Sequence, residues 1–384
     1  MSDPVPAPKT TVVKVSQPRL FFVDNLRVLL ITLVLIVHMA ITYGSPAGSW
    51  YYQEGILGMP TAAIYLTFQS LIQAFFMGLL FLISGYFTPP AFDRKGNAHF
   101  LRDRLVRLGL PMLAFLGFIE PAVDYIVAMN NGTFHGSFLS YYGKYIIFGF
   151  GILWFVLALL FFAFAYAGWR RFNPTPTKPR AFPKNSVIFA FTMLLGAASF
   201  GVRQIFPMGY FSPLFSFQYG FFAQYIALFI VGLIAYRGNW LMTIPKETGK
   251  TWGKIALGAM VFYVAIFIPI LLTGGLNSAL GGLHWQAALY AFWEQFFGIA
   301  IMISLTVWFR ENVNFQTGFM KALSDSSFTV YIIQVPILVL LALGFQSVQL
   351  PLLAKFAIVS PIGVALCYLV GYLVRKIPHA NRVL

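Results

Sequence analysis

The stretch FFVDNLRVLLITLVLIVHMAITYG, residues 21–44, decides how the rest of the chain is read. From Leu29 to Ala40 it is apolar apart from Thr32 and His38. As a helix rising about 1.5 Å per residue, it is long enough to cross a hydrocarbon layer of about 30 Å. An ionisable side chain inside such a helix is costly and by default marks function. His38 is that side chain. Arg27 comes eleven residues earlier, where the helix enters the bilayer. At 100° per residue, eleven steps leave the two side chains about 20° apart on the helix wheel and about 16 Å apart along the axis. One face thus carries a cation near one surface and a titratable imidazole near the other. An extended anionic ligand spans such a gap.

The remainder agrees with a membrane setting. The 384 residues are 59% hydrophobic and only 10% charged, where soluble domains carry about 25% charged residues. Mean hydropathy is +0.77. Apolar runs predict spans near 21–43, 61–87, 109–129, 146–168, 186–205, 219–236, 254–273, 285–309, 327–344 and 352–374. The expected architecture is an all-α, polytopic membrane helix bundle of about ten transmembrane helices, both termini cytoplasmic. It divides into a tail at 1–19, a membrane domain at 20–375 and a second tail at 376–384. With alternating loops, 22 of the 26 Lys and Arg residues fall on the cytoplasmic side or in the tails. Lys144, Arg203 and Lys355 fall outside, and Arg27 belongs to the first helix. That bias fixes the orientation by the positive-inside rule, and it also accounts for the net charge of +15. Nucleic acid is therefore not the expected partner; the lipid bilayer is. The polar, Pro-rich start followed by Asp24 and Arg27 does not read as a signal peptide. The single Cys367 allows no disulfide framework.

The linkers are short, and no soluble domain fits between the spans. Residues 170–184, with Asn173-Pro174-Thr175-Pro176, read as an extended hinge between two groups of helices. No repeat of fixed period is visible, which weighs against a transporter built from duplicated halves. The outer loops are rich in aromatics: Trp50-Tyr51-Tyr52, Phe134 to Tyr142 and Gly209 to Tyr219. They suit an interfacial belt or a sugar-binding surface.

His38 is the candidate general base, since an imidazole takes a proton from a hydroxyl and returns it near neutral pH. Asp24 is three residues before Arg27 and so its neighbour on the helix, placed to hold the guanidinium in an anion site. Asp24 is too far along the axis to orient His38. Glu120, Asp124 and Glu294 lie at the depth of His38 on other spans and are the candidates for that task, by the logic of a catalytic triad. The spacing does not choose among them. Arg104 and Arg107, behind Arg102, share a helix face at the cytoplasmic entry of the third span, where guanidinium forks suit phosphate oxygens. His99, His135, His284 and His379 are scattered, and no metal-ligand spacing, Walker A loop or Gly-x-Ser-x-Gly elbow is present. No metal and no bound cofactor are expected.

The 21–44 stretch resembles the first helix of the acyltransferase-3 family of membrane acyltransferases. That family carries Arg or Lys, ten intervening residues, then His, as Arg27 and His38 do. FFMGLLFLISGYFTPPAFDRKG (75–96), with Ser84-Gly85-Tyr86-Phe87, and FLRDRLVRLGLP (100–111) resemble its second helix and its Arg-x-x-Arg motif. ALSDSSFTVYIIQVPIL (322–338) resembles its late segment, with Gln334 where many relatives have His. No fused extracytoplasmic hydrolase-like domain is expected, which resembles the stand-alone branch that includes the enzymes succinylating osmoregulated periplasmic glucans. The resemblance implies transfer of an acyl group from cytoplasmic acyl-CoA to a hydroxyl of an extracytoplasmic glycan, in the bacterial inner membrane. Succinyl-CoA is favoured over acetyl-CoA as donor. A succinyl carboxylate would want a cation, for which Arg203 and Lys144 are candidates. A transporter or flippase of an anionic glycan would use the same charges without breaking bonds. A transmembrane acyl relay would hand the group to a separate transferase. A homo-oligomer is compatible with the sequence.

Overall fold

The computed structural model describes residues 19–48, 50–145, 149–175, 177–378 and 380. Most of the two tails, with Lys9, Lys14, His379 and Arg382, lies outside the described residues. The protein is all-α. Among the described residues ten helices are long and apolar enough to cross a membrane: α1 (Phe21–Thr42), α2 (Thr61–Lys95), α3 (Asn97–Asn130), α4 (Gly151–Phe172), α5 (Asn185–Arg203), α6 (Tyr219–Arg237), α7 (Lys246–Leu272), α8 (Trp285–Asn312), α9 (Gly318–Gly344) and α10 (Leu352–Lys376). Helices satisfy their own backbone groups, which a bilayer demands of any spanning segment.

Several helices start earlier than their apolar runs. α9 begins nine residues before the apolar run at 327, because Thr317 caps it by accepting from the Met320 amide at 3.2 Å. α3 begins at Asn97, just after Gly96 turns the chain out of α2. Arg102, Arg104 and Arg107 therefore ride on a helix rather than a loop. α2 is broken at Ala74–Phe75. The freed Ala74 carbonyl accepts from Gln224 Nε2 of α6 at 2.9 Å, so the break leaves no orphaned acceptor there.

α1 is the central helix, packed against α8, α9, α10 and the second half of α2. The most extensive packing joins α2 and α6, where Gly85 meets Gly232: a methyl group on either would overlap backbone oxygen of the other helix. α3 packs near its two ends, against α4 and α9, and exposes Leu110, Leu113 and Phe118 between.

Ion pairs identify one end of the bundle. Asp93, at the end of α2, joins Arg170 of α4 at 2.9 Å and Arg237 of α6 at 2.5 Å. Arg19 before α1 reaches Asp325 at the start of α9 at 3.2 Å. Lys246 of α7 pairs with Glu311 of α8 at 2.5 Å. These define the basic end. The expected hinge at 170–184 is pinned to it: Arg170 donates to the Pro174 carbonyl at 3.0 Å, and Trp240 Nε1 donates to the Arg180 carbonyl at 2.7 Å. A segment held by backbone carbonyls at both ends is a strap, not a free hinge.

Candidate functional site

Arg27, Arg104 and Arg107 come together. They line one cavity of about 360 Å³ that opens at the basic end, and its lining contains no carboxylate. Asp24 accepts from Arg27 Nη1 at 3.3 Å and from Arg19 Nε at 2.6 Å, so it steadies Arg27 from outside the cavity. Asp103 does the same for Arg107, at 3.2 Å, while also holding Lys95. The Arg104 guanidinium lies 5.2 Å from the Phe100 ring centre. α3 makes two wide π-helical turns, Leu105–Gly109 and Phe115–Ile119, a form that single turns within helices take at functional sites. The first carries Arg107.

Inward, the cavity wall becomes apolar. Ile31, Leu80, Ile83, Phe155, Leu159 and Phe229 line it, with Ser84 among them, the Ser-Gly-Tyr-Phe segment being helical within α2. Ile31 is one turn from Arg27, on the face of α1 that carries His38. Tyr331 is also part of the wall; its hydroxyl donates to the Ile152 carbonyl and its ring meets Phe155 edge-on at 5.8 Å.

His38 lies two turns beyond Ile31. Its Nδ1 is 2.9 Å from Gln334 Oε1, one turn past Tyr331 on α9. Its ring stacks on Trp50, with centroids 4.0 Å apart and planes 16° from parallel. Trp50 belongs to the α1–α2 loop, which folds back over the end of α1. Glu54 donates its amide to the Thr42 carbonyl at 2.9 Å, Leu57 to Gly44 at 2.9 Å, and Gln53 Nε2 reaches the Ser45 carbonyl at 2.9 Å. Glu54 also pairs with buried Lys355 of α10, which donates to the Phe345 carbonyl at 3.0 Å.

None of the three expected carboxylates bonds to His38; the orienting partner is the amide of Gln334. Glu294 is closed in a buried pair with Arg203, 2.5 Å apart, and accepts from Gln295 at 2.9 Å. Being fully buried against Glu294, Arg203 is not available to a succinyl carboxylate, and Lys144 sits exposed on a loop. Glu120 accepts from Tyr51 at 2.9 Å and Asp124 from Tyr145 at 2.8 Å. Burial, and then the nearby Glu120 carboxyl, push the Tyr51 phenol well above its ordinary range, so it stays a donor. Burial and the bond to Asp124 do the same for Tyr145. Glu120 thus touches the site only through Tyr51, whose ring packs edge-on against Trp50 at 5.3 Å. Gly151 makes room there: its φ is +46°, and a side chain would collide with the Tyr51 hydroxyl and Glu120.

Gln334, Trp50 and Tyr331 are the site residues that spacing alone did not single out. A Gln inside an apolar run is the same kind of signal as His38, and one turn from Tyr331 it pointed to this face.

The arrangement gives a cavity with three guanidiniums at its mouth and an apolar inner wall that reaches Ile31 and Tyr331, and His38 lies two turns beyond Ile31 on the same face of α1, outside that lining. Three proteins from Salmonella typhi, Salmonella typhimurium (strain LT2) and Salmonella heidelberg (strain SL476), each called glucans biosynthesis protein C, are 26% identical to it over 339 residues. That covers 84% of this chain and 83% of each relative. No solved structure matches. The profile of the acyltransferase-3 family, described as an acyltransferase domain, matches residues 20–372, nearly the whole membrane region. The chain belongs to that family, and it is a polytopic membrane acyltransferase.

Proposed function

We propose that the protein moves a short acyl group, succinyl in the first instance and acetyl as the other candidate, from cytoplasmic acyl-CoA to a hydroxyl of a periplasmic glucan. It would do so in the bacterial inner membrane, with both termini in the cytoplasm. The observation that carries this reading is one cavity lined by Arg27, Arg104 and Arg107 that reaches Ile31 on the face of α1 which bears His38 two turns further on. CoA brings phosphates, which suit three guanidiniums that share a cavity with no carboxylate in its lining. Its pantetheine arm is an extended chain of the length the Arg27-to-His38 distance calls for. The distribution of Lys and Arg supports a cytoplasmic basic end. The names of the Salmonella relatives support a glucan acceptor.

In this mechanism His38 Nε2 takes the proton of the sugar hydroxyl as its oxygen attacks the thioester carbonyl. The carbon–sulfur bond breaks, the ester forms, and the imidazolium returns the proton to the departing thiolate. Atoms balance with CoA as the second product, and no covalent Ser or Cys is used.

The test is transfer of radiolabel from succinyl-CoA or acetyl-CoA to periplasmic glucan by the purified protein in lipid, beside His38→Ala. Label on the glucan with the parent chain and none with the variant is the expected result. Normal transfer by His38→Ala would remove the base. CoA release with unlabelled glucan would favour a relay to another transferase. Intact acyl-CoA with either donor would favour a transporter.

A further inference from the structure

The imidazole of His38 has two nitrogens, and only one can be a base at a time. Nδ1 faces Gln334 Oε1 at 2.9 Å. Gln334 has no freedom to present its other end. Its Nε2 donates to the Tyr331 carbonyl at 3.0 Å, and the side chain is fully buried, so water does not compete for either atom. An amide nitrogen only donates and an amide oxygen only accepts. The oxygen is therefore turned to His38, and Nδ1 must carry the proton. Nε2 has no hydrogen-bond partner among the described residues and is not sealed among the buried unsatisfied atoms. Trp50 lies flat on the ring and holds its plane.

We propose that Gln334 is a positioning residue that locks His38 in the Nδ1–H tautomer, leaving the Nε2 lone pair free for the acceptor hydroxyl. The proposal rests on the reading of His38 as the base. Among the described residues no carboxylate, the usual group in this role, bonds to the imidazole: Glu294 is held by Arg203, Glu120 by Tyr51 and Asp124 by Tyr145. Because the amide is neutral, it directs the ring without placing an ionised group beside it, where an extra charge is costly.

The experiment is solid-state NMR of the full chain in lipid with ¹⁵N-labelled histidine, the His38 signals being identified by their loss in His38→Ala. Acyl transfer is measured on the same samples. The parent chain should show a protonated Nδ1 and an unprotonated Nε2 at His38. Gln334→Leu should move the proton to Nε2, wholly or in part, and lower kcat by about 100-fold, with KM for acyl-CoA changed by less than about 2-fold because the donor mouth is untouched. Gln334→Glu keeps an acceptor and should restore the tautomer and most of the turnover. A parent chain with the proton on Nε2 overturns the proposal without any variant. So does a folded Gln334→Leu that keeps the Nδ1–H tautomer or transfers at the parental rate. If the tautomer moves as expected but the parent chain transfers no acyl group, the positioning role stands and it is the acyltransfer reading that fails.

Discussion

Arg27 and Arg203 are both arginines in spanning helices, and their surroundings set them apart. Arg27 has Asp24 on one side and an open cavity on the other. Arg203 donates to the Gly220 carbonyl at 3.1 Å, pairs with Glu294, and lies over the rings of Phe221 and Tyr290. Arg27→Ala should raise KM for acyl-CoA by about 10-fold or more, the worth of one charge-assisted hydrogen bond. Arg27→Lys should recover part of it, and steady-state kinetics in lipid decides. Glu294→Gln should act on stability instead. It leaves a buried guanidinium facing no charge, a loss of about 3–5 kcal/mol, read as a lower Tm in detergent. Replacing both partners, Arg203→Met with Glu294→Leu, should recover most of that loss. At this scale the sequence was legible where both partners shared a helix. Asp24 with Arg27, and Arg104 with Arg107, follow from intervals of three residues. Gln334 and Trp50 reach His38 only through tertiary packing. Depth along a span placed Glu294 level with His38 but said nothing of the direction in which it faces.

Among elements, the α2–α6 contact is the most demanding. Gly85 and Gly232 let two backbones approach, as small residues do where membrane helices pack closely. Gly85→Ala pushes a methyl into the Phe229 carbonyl and should destabilise by about 1–3 kcal/mol. Gly258→Ala, on α7 with open space around it, should be neutral or stabilising by up to about 1 kcal/mol. Thermal unfolding of the two variants side by side checks both. Ser84-Gly85-Tyr86-Phe87 can now be read in parts: Ser84 lines the cavity, Gly85 allows the crossing, and Tyr86 bonds to Asn239 at 3.2 Å. The ten helices were readable from apolar runs, because spanning a bilayer requires them to be long and uniformly apolar. The true starts of α3 and α9 were not. Their first turns mix polar and apolar residues, Asn97–Phe100 and Gly318–Lys321, and are set by a glycine turn and a threonine cap, which hydropathy does not see.

For the whole molecule, the orientation is open to direct measurement. In a Cys367→Ser background, cysteine at Leu139 should react with a membrane-impermeant maleimide added to spheroplasts. Cysteine at Lys178 should react only after permeabilisation. The reverse pattern would invert the bundle and detach the cavity from cytoplasmic donors. One more property follows from how His38 is enclosed. Above it lies Trp50, on a loop tied to the end of α1; below it lies Tyr331, tied to Ile152. Between Ile31 and His38 the shared face of α1 runs about 10 Å without a charge. To an ion this is insulation. Under the proposed function an acyl group crosses a membrane that also stores the cell's voltage, and a wet tunnel through it would discharge that store. Proteoliposomes carrying the resting protein should hold an imposed proton gradient as long as protein-free vesicles do.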